Sequence, residues 1–419
     1  MEATIFAFYT VALIMLIGFF GMLFFRKTSI PDVIFLLLFG VVLGPITHVI
    51  DIEAIYGVLP YMAMFAISIL LFDSGLRINI DRLLEKGKAV IGTSILSFIL
   101  SLTVITLFLK YILYLRWAYS LMLGSILAIS GSMTLITLIR QMPVKEEALL
   151  TLTLEMALTN VLSIIIALSC LEYINLKIVP IERILVMLTS KFSTGILIGL
   201  IVGVIWLVVI YMLREEEYFY MFTLSVLIGA YSLAETLGGS GALASLIFGL
   251  VLGNDEKIAS VMGLKIKIEE LRPIRDLTKR FHSEITFLMR SFFFVLLGLT
   301  YFFGDVTEIV FGAIITGLLF ISRFVAISIV TIKGTLASER KILTCALGRG
   351  LVTAVLGIMP MQFGLKYSEL MLGLVVNIIF FSNILMAITL STIREYRLWR
   401  KRLEEIVKEE EKPQTNSGS

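Results

Sequence analysis

The stretch Ile30-Pro-Asp-Val-Ile-Phe-Leu-Leu-Leu-Phe-Gly-Val-Val-Leu-Gly-Pro45 is apolar over almost its whole length. Backbone amide and carbonyl groups cannot remain unpaired in lipid, so an apolar run long enough to cross the hydrocarbon must be a helix. A crossing helix needs about 20 residues, which the segment from Pro31 to Ile50 supplies. The stretch therefore predicts a transmembrane helix.

Twelve further stretches have the same character and bring the number of candidate spans to thirteen. In chain order the thirteen are Thr4–Phe25, Pro31–Ile50, Ile55–Leu76, Ala89–Leu109, Trp117–Ile139, Ala148–Leu171, Thr194–Leu213, Tyr218–Leu237, Gly239–Gly253, Thr286–Phe303, Ile309–Ile332, Ile342–Phe363 and Leu370–Thr392. The chain is 58% hydrophobic and 16% charged, whereas soluble domains have about 45–50% apolar and about 25% charged residues. This composition excludes a soluble enzyme, a nucleic-acid binder and a disordered chain. It predicts an all-α polytopic membrane protein that lies in a lipid bilayer.

Lysine and arginine predict the orientation of these spans. If thirteen spans alternate in direction, the side that carries the C-terminus holds 26 of the 35 Lys and Arg residues and the other side holds 6. Loops on the cytoplasmic side carry the excess of Lys and Arg. We therefore expect a cell-membrane protein with its N-terminus outside and its C-terminus in the cytoplasm.

The chain divides into a transmembrane domain, residues 1–392, and a cytoplasmic tail, residues 393–419. Within the transmembrane domain, Asp255–Glu284 carries basic residues with apolar residues between them. This pattern is typical of a cytoplasmic helix that lies on the membrane surface. The tail ends in a polar stretch that we expect to be disordered. The chain has no Walker A, HExxH, GxSxG or redox motif, so an ATP-driven pump or membrane enzyme has no support. Cys170 and Cys345 lie singly in apolar runs, and we expect neither a resident metal nor a cofactor.

A few ionisable residues lie inside predicted spans, where a charge costs about 2.5–3.5 kcal/mol and is therefore a functional hypothesis. Glu155 shares its helix with Thr159 and Asn160, and this polar surface could hold a proton or a dehydrated monovalent cation. The alternative is that an arginine holds Glu155 only to join two helices. The available charged partners in spans are Arg323, Arg349 and, near a span end, Asp73.

Two spans contain small polar residues at their centres. The fifth has Ala128-Ile-Ser-Gly-Ser-Met133, which includes Ser130, Gly131 and Ser132, and the twelfth has Ala346-Leu-Gly-Arg-Gly-Leu351. Interrupted helices at matching positions of two inverted repeats mark the binding site in transporters. Small residues can instead allow close helix packing, which we expect at Gly195, Gly199 and Gly203 and at Gly249 and Gly253. We predict helix breaks in the fifth and twelfth spans.

Several motifs together resemble the monovalent cation/proton antiporters, especially the archaeal sodium/proton antiporter branch. The segment Ile30–Pro45 is similar to the second-helix signature of that family, a proline followed by Gly-x3-Gly-Pro. Leu71-Phe-Asp-Ser-Gly-Leu76 is similar to its third-helix motif. The remaining matches, in the expected order, are Gly241–Asn254, Phe293–Gly298, Ser322-Arg323 and Gly348-Arg-Gly350.

The resemblance implies inverted repeats, a dimerisation part and a core part, with the fifth and twelfth spans unwound and crossing at mid-membrane. It also implies a homodimer. Glu155 matches the sixth-helix glutamate of the family, Arg323 matches the arginine that pairs with it, and Arg349 matches the glycine-flanked arginine.

Two departures affect the expected chemistry. The family carries Asn-Asp or Asp-Asp where this chain has Thr159-Asn160, and Thr-Asp-Pro where it has Ser130-Gly131-Ser132. An asparagine cannot take up a proton in place of an aspartate. The first hypothesis is therefore exchange of a monovalent cation (sodium, or else potassium or lithium) for protons, with Glu155 as the remaining titratable ligand. Thr159, Asn160 and residues 130–132 would support it. The alternatives are an ion or solute transporter of this fold without proton exchange, and a non-transporting membrane protein.

Overall fold

A computed structural model describes residues 2–28, 30–50, 59–140, 142, 144–175, 181–212, 219–261, 268–301, 306–331 and 335–410. These residues form sixteen α-helices, a π-helical turn at Val42–Ile46 and a 3-10 turn at Thr335–Glu339. The helices are α1 (Glu2–Thr28), α2 (Asp32–Val41), α3 (Leu59–Arg77), α4 (Ile80–Tyr111), α5 (Trp117–Ala128), α6 (Met133–Arg140), α7 (Glu146–Asn175), α8 (Ile181–Met212), α9 (Phe219–Thr236), α10 (Gly241–Gly253), α11 (Asp255–Val261), α12 (Ile268–Thr300), α13 (Val306–Val330), α14 (Arg340–Cys345), α15 (Leu351–Gln362) and α16 (Ser368–Glu410).

Each of the thirteen predicted spans overlaps one of these helices or a pair of short ones. Within the described ranges, six helices are long and apolar enough to cross a membrane, and six further apolar helices have 10–17 residues. The second span is a helix that continues into the π-helical turn around Pro45. The all-α polytopic architecture predicted from the sequence is confirmed.

The breaks predicted in the fifth and twelfth spans are both present. In the fifth span α5 ends at Ala128 and α6 begins at Met133, and in the twelfth α14 ends at Cys345 and α15 begins at Leu351. Gly131 lies in the first break with a φ of 79°, a left-handed conformation that glycine adopts without strain. The two breaks meet, because Arg349 Nε in the second donates a hydrogen bond to the Leu127 carbonyl beside the first, at 3.0 Å.

The helices form two groups according to their contacts. We call α1–α3, α8–α10 and α12 the panel, and α4–α7 with α13–α16 the core bundle. Inside the panel, glycines bring backbones into contact: a Cβ added at Gly249 would lie 2.1 Å from the Phe72 carbonyl oxygen, and one at Gly199 would lie 2.5 Å from that of Ala244. The close packing predicted for these glycines is therefore confirmed.

The predicted surface helix and the tail are partly described. Asp255–Val261 forms α11, residues 262–267 lie outside the described residues, and residues 268–284 continue without a break into the tenth span as the first half of α12. The position of this segment on the membrane surface stays a prediction. The helix α16 runs through the thirteenth span to Glu410, and the disordered end predicted for the tail lies outside the described residues.

Candidate functional site

Glu155 in α7 and Arg323 in α13 form a buried ion pair at the centre of the core bundle. The two residues are 1% and 2% exposed. Arg323 Nη1 donates to Glu155 Oε1 at 2.7 Å, and Nη2 donates to Oε2 at 3.1 Å. These two parallel charge-assisted hydrogen bonds fix the plane of the guanidinium relative to the plane of the carboxylate. The contact that the family resemblance implies between these residues is present.

Further polar groups complete this ion pair. Arg323 Nε donates to the Leu343 carbonyl at 2.7 Å, and Nη1 also contacts the hydroxyls of Ser97 and Ser130. The Ser130 hydroxyl donates to Glu155 Oε1 at 2.9 Å. The cluster therefore joins five segments of the core bundle: α4, the first break, α7, α13 and α14.

Thr159 belongs to the same cluster. Its hydroxyl accepts a hydrogen bond from the Ser130 backbone N–H at 3.2 Å and donates to the Met156 carbonyl at 3.3 Å. The break after α5 frees backbone groups from the helix ladder, and a buried N–H needs a partner. Thr159 therefore accepts the hydrogen bond of a backbone N–H that the first break leaves free. Glu155, one turn earlier on α7, contacts the side chain of the same residue, Ser130.

Arg349 is buried in the second break, and its guanidinium donates to backbone carbonyls. Nε reaches the Leu127 oxygen at 3.0 Å and Nη1 reaches the Leu347 oxygen at 2.6 Å. The Asn383 side chain in turn donates to the Arg349 carbonyl at 2.9 Å. The Leu127 and Leu347 carbonyls lie at or just beyond the C-terminal ends of α5 and α14, where the helix dipole is negative. Arg349 thus places one positive charge against two helix ends.

A cavity of about 60 Å³ lies between the panel and the core bundle, which is room for more than one water molecule. Its inner end is formed by the breaks and by α7, through Gly131, Ser132, Asn160 and Gly350. The remaining lining residues are Val33, Leu70, Asp73, Ser74, Arg77, Ile129, Met156, Ala157, Thr286, Arg290, Phe294, Leu351 and Val352. The cavity therefore reaches both interrupted helices.

The six residues predicted to bind an ion divide between two places. Ser130, Glu155 and Thr159 form the cluster with Arg323, whereas Gly131, Ser132 and Asn160 line the cavity. Asn160 comes five positions after Glu155, and at 100° per residue this places the two side chains about 140° apart around α7. The structure therefore brings the carboxylate and the amide to different faces of one helix.

Two ion pairs involve residues that line the cavity. Arg77 holds both oxygens of Asp73, with Nε to Oδ2 at 2.8 Å and Nη2 to Oδ1 at 2.9 Å. Arg290 in α12 reaches Asp32 in α2 at 3.1 Å. The spacing of Asp73 and Arg77, four residues apart on a helix, was a signal for the first pair. Nothing in the spacing of Asp32 and Arg290 indicated the second.

Ser97 is a further site residue that the sequence reasoning missed. It lies one helical turn after Thr93 and one before Ser101, and all three side chains are buried. A polar stripe with a spacing of four residues in an apolar helix is a recognisable signal, because it predicts a face turned towards protein rather than lipid.

Comparison with known proteins agrees with the architecture. The family model described as sodium/hydrogen exchanger, transmembrane, matches residues 10–395. A probable Na(+)/H(+) antiporter 2 of Methanocaldococcus jannaschii is 26% identical over 65% of this chain and 64% of its own length. The Na(+)/H(+) antiporter NhaH of Halobacillus aidingensis is 23% identical over 87% of this chain and 91% of its own length. The match to the first relative thus spans less than two thirds of that protein.

A solved structure shows the same fold. The sodium proton antiporter MjNhaP1 of Methanocaldococcus jannaschii superimposes with a TM-score of 0.77 at 21% identity, covering 95% of this chain and 99% of that one. The family model extends over nearly all of the membrane-spanning part of the chain. The chain therefore belongs to the sodium/hydrogen exchanger family of transmembrane proteins.

Proposed function

We propose that this protein is a secondary transporter that exchanges a monovalent cation for protons across the cell membrane. The observation that carries the proposal is the cavity between the panel and the core bundle, which ends at two interrupted helices. In transporters the substrate site lies where such helices meet, and access alternates as one group of helices moves against the other. Relatives described as sodium/proton antiporters and as a potassium/proton antiporter, NhaP2 of Shewanella oneidensis, support exchange without fixing the ion.

In this proposal Glu155 is the titratable group of the core. Protonation of Glu155 would leave Arg323 as an uncompensated positive charge near the cavity and would disfavour a cation there, so proton and cation would compete, as antiport requires. When Glu155 is neutralised, Arg323 keeps hydrogen-bond acceptors in the Leu343 carbonyl and the hydroxyls of Ser97 and Ser130. The cluster can therefore lose the negative charge of the pair without leaving the guanidinium unbonded. Asp73 is the competing candidate, because it is the carboxylate among the described residues that line the cavity.

Proteoliposomes with a pH dye inside test the proposal directly. Addition of sodium, potassium or lithium should release protons, and Glu155→Gln should abolish the release. Asp73→Asn is the matched variant, since it also converts an ion-paired carboxylate to an amide. If Asp73→Asn stops exchange and Glu155→Gln does not, the titrating group is the cavity carboxylate. Each variant must elute as a folded species, because Glu155→Gln leaves Arg323 with an unbalanced charge.

The same measurement separates the two alternative functions. Cation flux without proton release indicates a uniporter or symporter of this fold. Absence of flux for every monovalent cation indicates a non-transporting membrane protein, in which Glu155 and Arg323 only join two helices. The replacement of the family aspartates by Asn160 and by Ser130-Gly131-Ser132 is the observation that favours testing both.

The orientation belongs to the proposal as well. With the C-terminus in the cytoplasm, Arg77 and Arg290 lie at the cytoplasmic end of the cavity. Cysteines placed at the exposed positions Lys341 and Tyr114 should be labelled only from the cytoplasm and only from outside, respectively. Native Cys170 and Cys345 are buried and give little background. Labelling with the opposite sidedness would reverse the orientation.

We further propose that the protein is a homodimer, which cross-linking in native membranes can test.

On the opposite side an ion pair joins the two helix groups. Lys191 in α8 contacts Glu172 in α7, and α8 belongs to the panel whereas α7 belongs to the core bundle. If exchange requires the groups to move against each other, a reducible thiol-reactive cross-linker that joins cysteines at 172 and 191 should stop it. A reducing agent should restore exchange. Unchanged exchange in the fully cross-linked protein would rule out a movement at this contact.

A further inference from the structure

We infer that the inner end of the cavity selects potassium-sized cations over sodium and lithium. The inference rests on the proposed function, because it concerns which cation the exchange site takes. Asn160 is the residue that sets the preference. It lines the cavity together with Gly131, Ser132 and Gly350, and the oxygen atoms that these four residues carry are amide, hydroxyl and backbone carbonyl oxygens, none of them ionised.

The nearby carboxylates do not add charge to this end. Glu155 lies on another face of α7, where both of its oxygens accept hydrogen bonds from Arg323. Asp73 also lines the cavity, and both of its oxygens accept from Arg77. Arg290 also lines the cavity and carries a positive charge. A cation at the inner end therefore meets neutral dipoles, with each neighbouring negative charge matched by an arginine.

The field strength of the ligands determines which ion binds. A cation must lose water to enter, and the smaller ion holds its water more tightly. A carboxylate can offset that loss, since its attraction rises steeply as the ion approaches more closely. Neutral oxygens gain much less from the shorter distance, so a site made of them favours the ion that dehydrates more easily. Potassium and rubidium fit this site better than sodium and lithium.

Two measurements on the full chain test this selectivity. The first is proton release from proteoliposomes on addition of potassium, rubidium, sodium or lithium chloride at matched ionic strength. The second is the thermal midpoint of the detergent-solubilised protein in the same four salts, since a ligand that binds only the folded state raises it. We expect potassium and rubidium to give half-maximal release at lower concentrations, and to give the larger thermal shifts.

Asn160→Asp should reverse the order. A carboxylate at this position raises the field at the inner end, and we expect the ratio of sodium to potassium affinity to rise by about tenfold, which corresponds to about 1.4 kcal/mol. Asn175→Asp is the matched control, because it makes the same substitution on the same helix at an exposed position. It should leave the order of the four cations unchanged.

The outcomes separate this inference from the proposed function. Exchange that prefers sodium or lithium in the parent chain overturns the selectivity and leaves exchange standing. A potassium-selective thermal shift without proton release supports the selectivity and overturns exchange. Neither release nor a cation-specific shift overturns both. If Asn160→Asp leaves the order of cations unchanged, Asn160 does not set the preference.

Discussion

Several glycines of the panel bring the backbones of neighbouring helices together, whereas glycines of the core bundle face side chains, and buried polar side chains join its central helices. At Gly40 and Gly298 an added Cβ on either helix would lie 2.2 Å from a carbonyl oxygen of the other. In the core bundle the corresponding contacts are those of Glu155, Arg323 and Ser130. Close backbone contact fixes one packing arrangement, while a network of hydrogen bonds can exchange partners. If the proposed function holds, the panel is therefore the rigid partner, and the group of the core bundle that takes up the proton is Glu155.

The largest effect should come from breaking the ion pair of the core bundle. Removing one partner of a buried pair typically costs about 3–5 kcal/mol, because the other charge is left uncompensated. We expect Glu155→Ala and Arg323→Ala each to lower the thermal midpoint in detergent by several degrees. The double variant should lose less than the sum of the two, since the residues are in contact.

The outcome of this cycle bears directly on the comparison. Additive losses would mean that Glu155 and Arg323 do not interact in the membrane protein in solution. The bundle would then depend on packing, as the panel does. A double variant that is as stable as the parent would instead show that the pair as a whole adds no net stability to the bundle.

A smaller effect is expected in the panel. Gly249→Ala places a Cβ 2.1 Å from the Phe72 carbonyl oxygen, which forces α3 and α10 apart. Overpacking of this kind typically costs about 1–3 kcal/mol. Gly229→Ala in α9 is the control, because a Cβ there has no neighbour within 4 Å. It should be neutral or slightly stabilising, since alanine favours helix more than glycine does. Equal thermal midpoints for the two variants would contradict the glycine contact.

The sequence predicts the spans and breaks well because both depend on local composition. Length and hydropathy identify a crossing helix, and the residues Ser130-Gly131-Ser132 release the backbone wherever the neighbouring helices lie. Close packing at Gly249 was predictable for the same reason. These features need no knowledge of which helix lies beside which.

The division of the candidate site was not predictable in the same way. The separation of Glu155 and Asn160 around α7 follows from their spacing, but only the placement of Arg323 and the cavity around that helix shows what each face contacts. The two backbone acceptors of Arg349 are carbonyls, which every residue carries, so no pattern points to Leu127 or Leu347. Contacts between distant segments, such as Asp32 with Arg290, depend on tertiary packing alone.

The smallest effect on stability should come from breaking an exposed ion pair between α11 and the start of α4. Lys257 in α11 contacts Asp81 at the start of α4, and their side chains are 38% and 62% exposed. Exposed pairs contribute about 0.2–1 kcal/mol, because water and salt screen both charges and the side chains lose freedom when they pair. Asp81→Asn should therefore shift the thermal midpoint by about a degree or less, and the shift should vanish at high salt. Glu155→Ala should keep its effect at high salt, since its partner is shielded from solvent. A salt-resistant loss in Asp81→Asn as large as that of Glu155→Ala would mean that this contact between α11 and α4 is desolvated, and that it stabilises the protein as much as the ion pair inside the core bundle does.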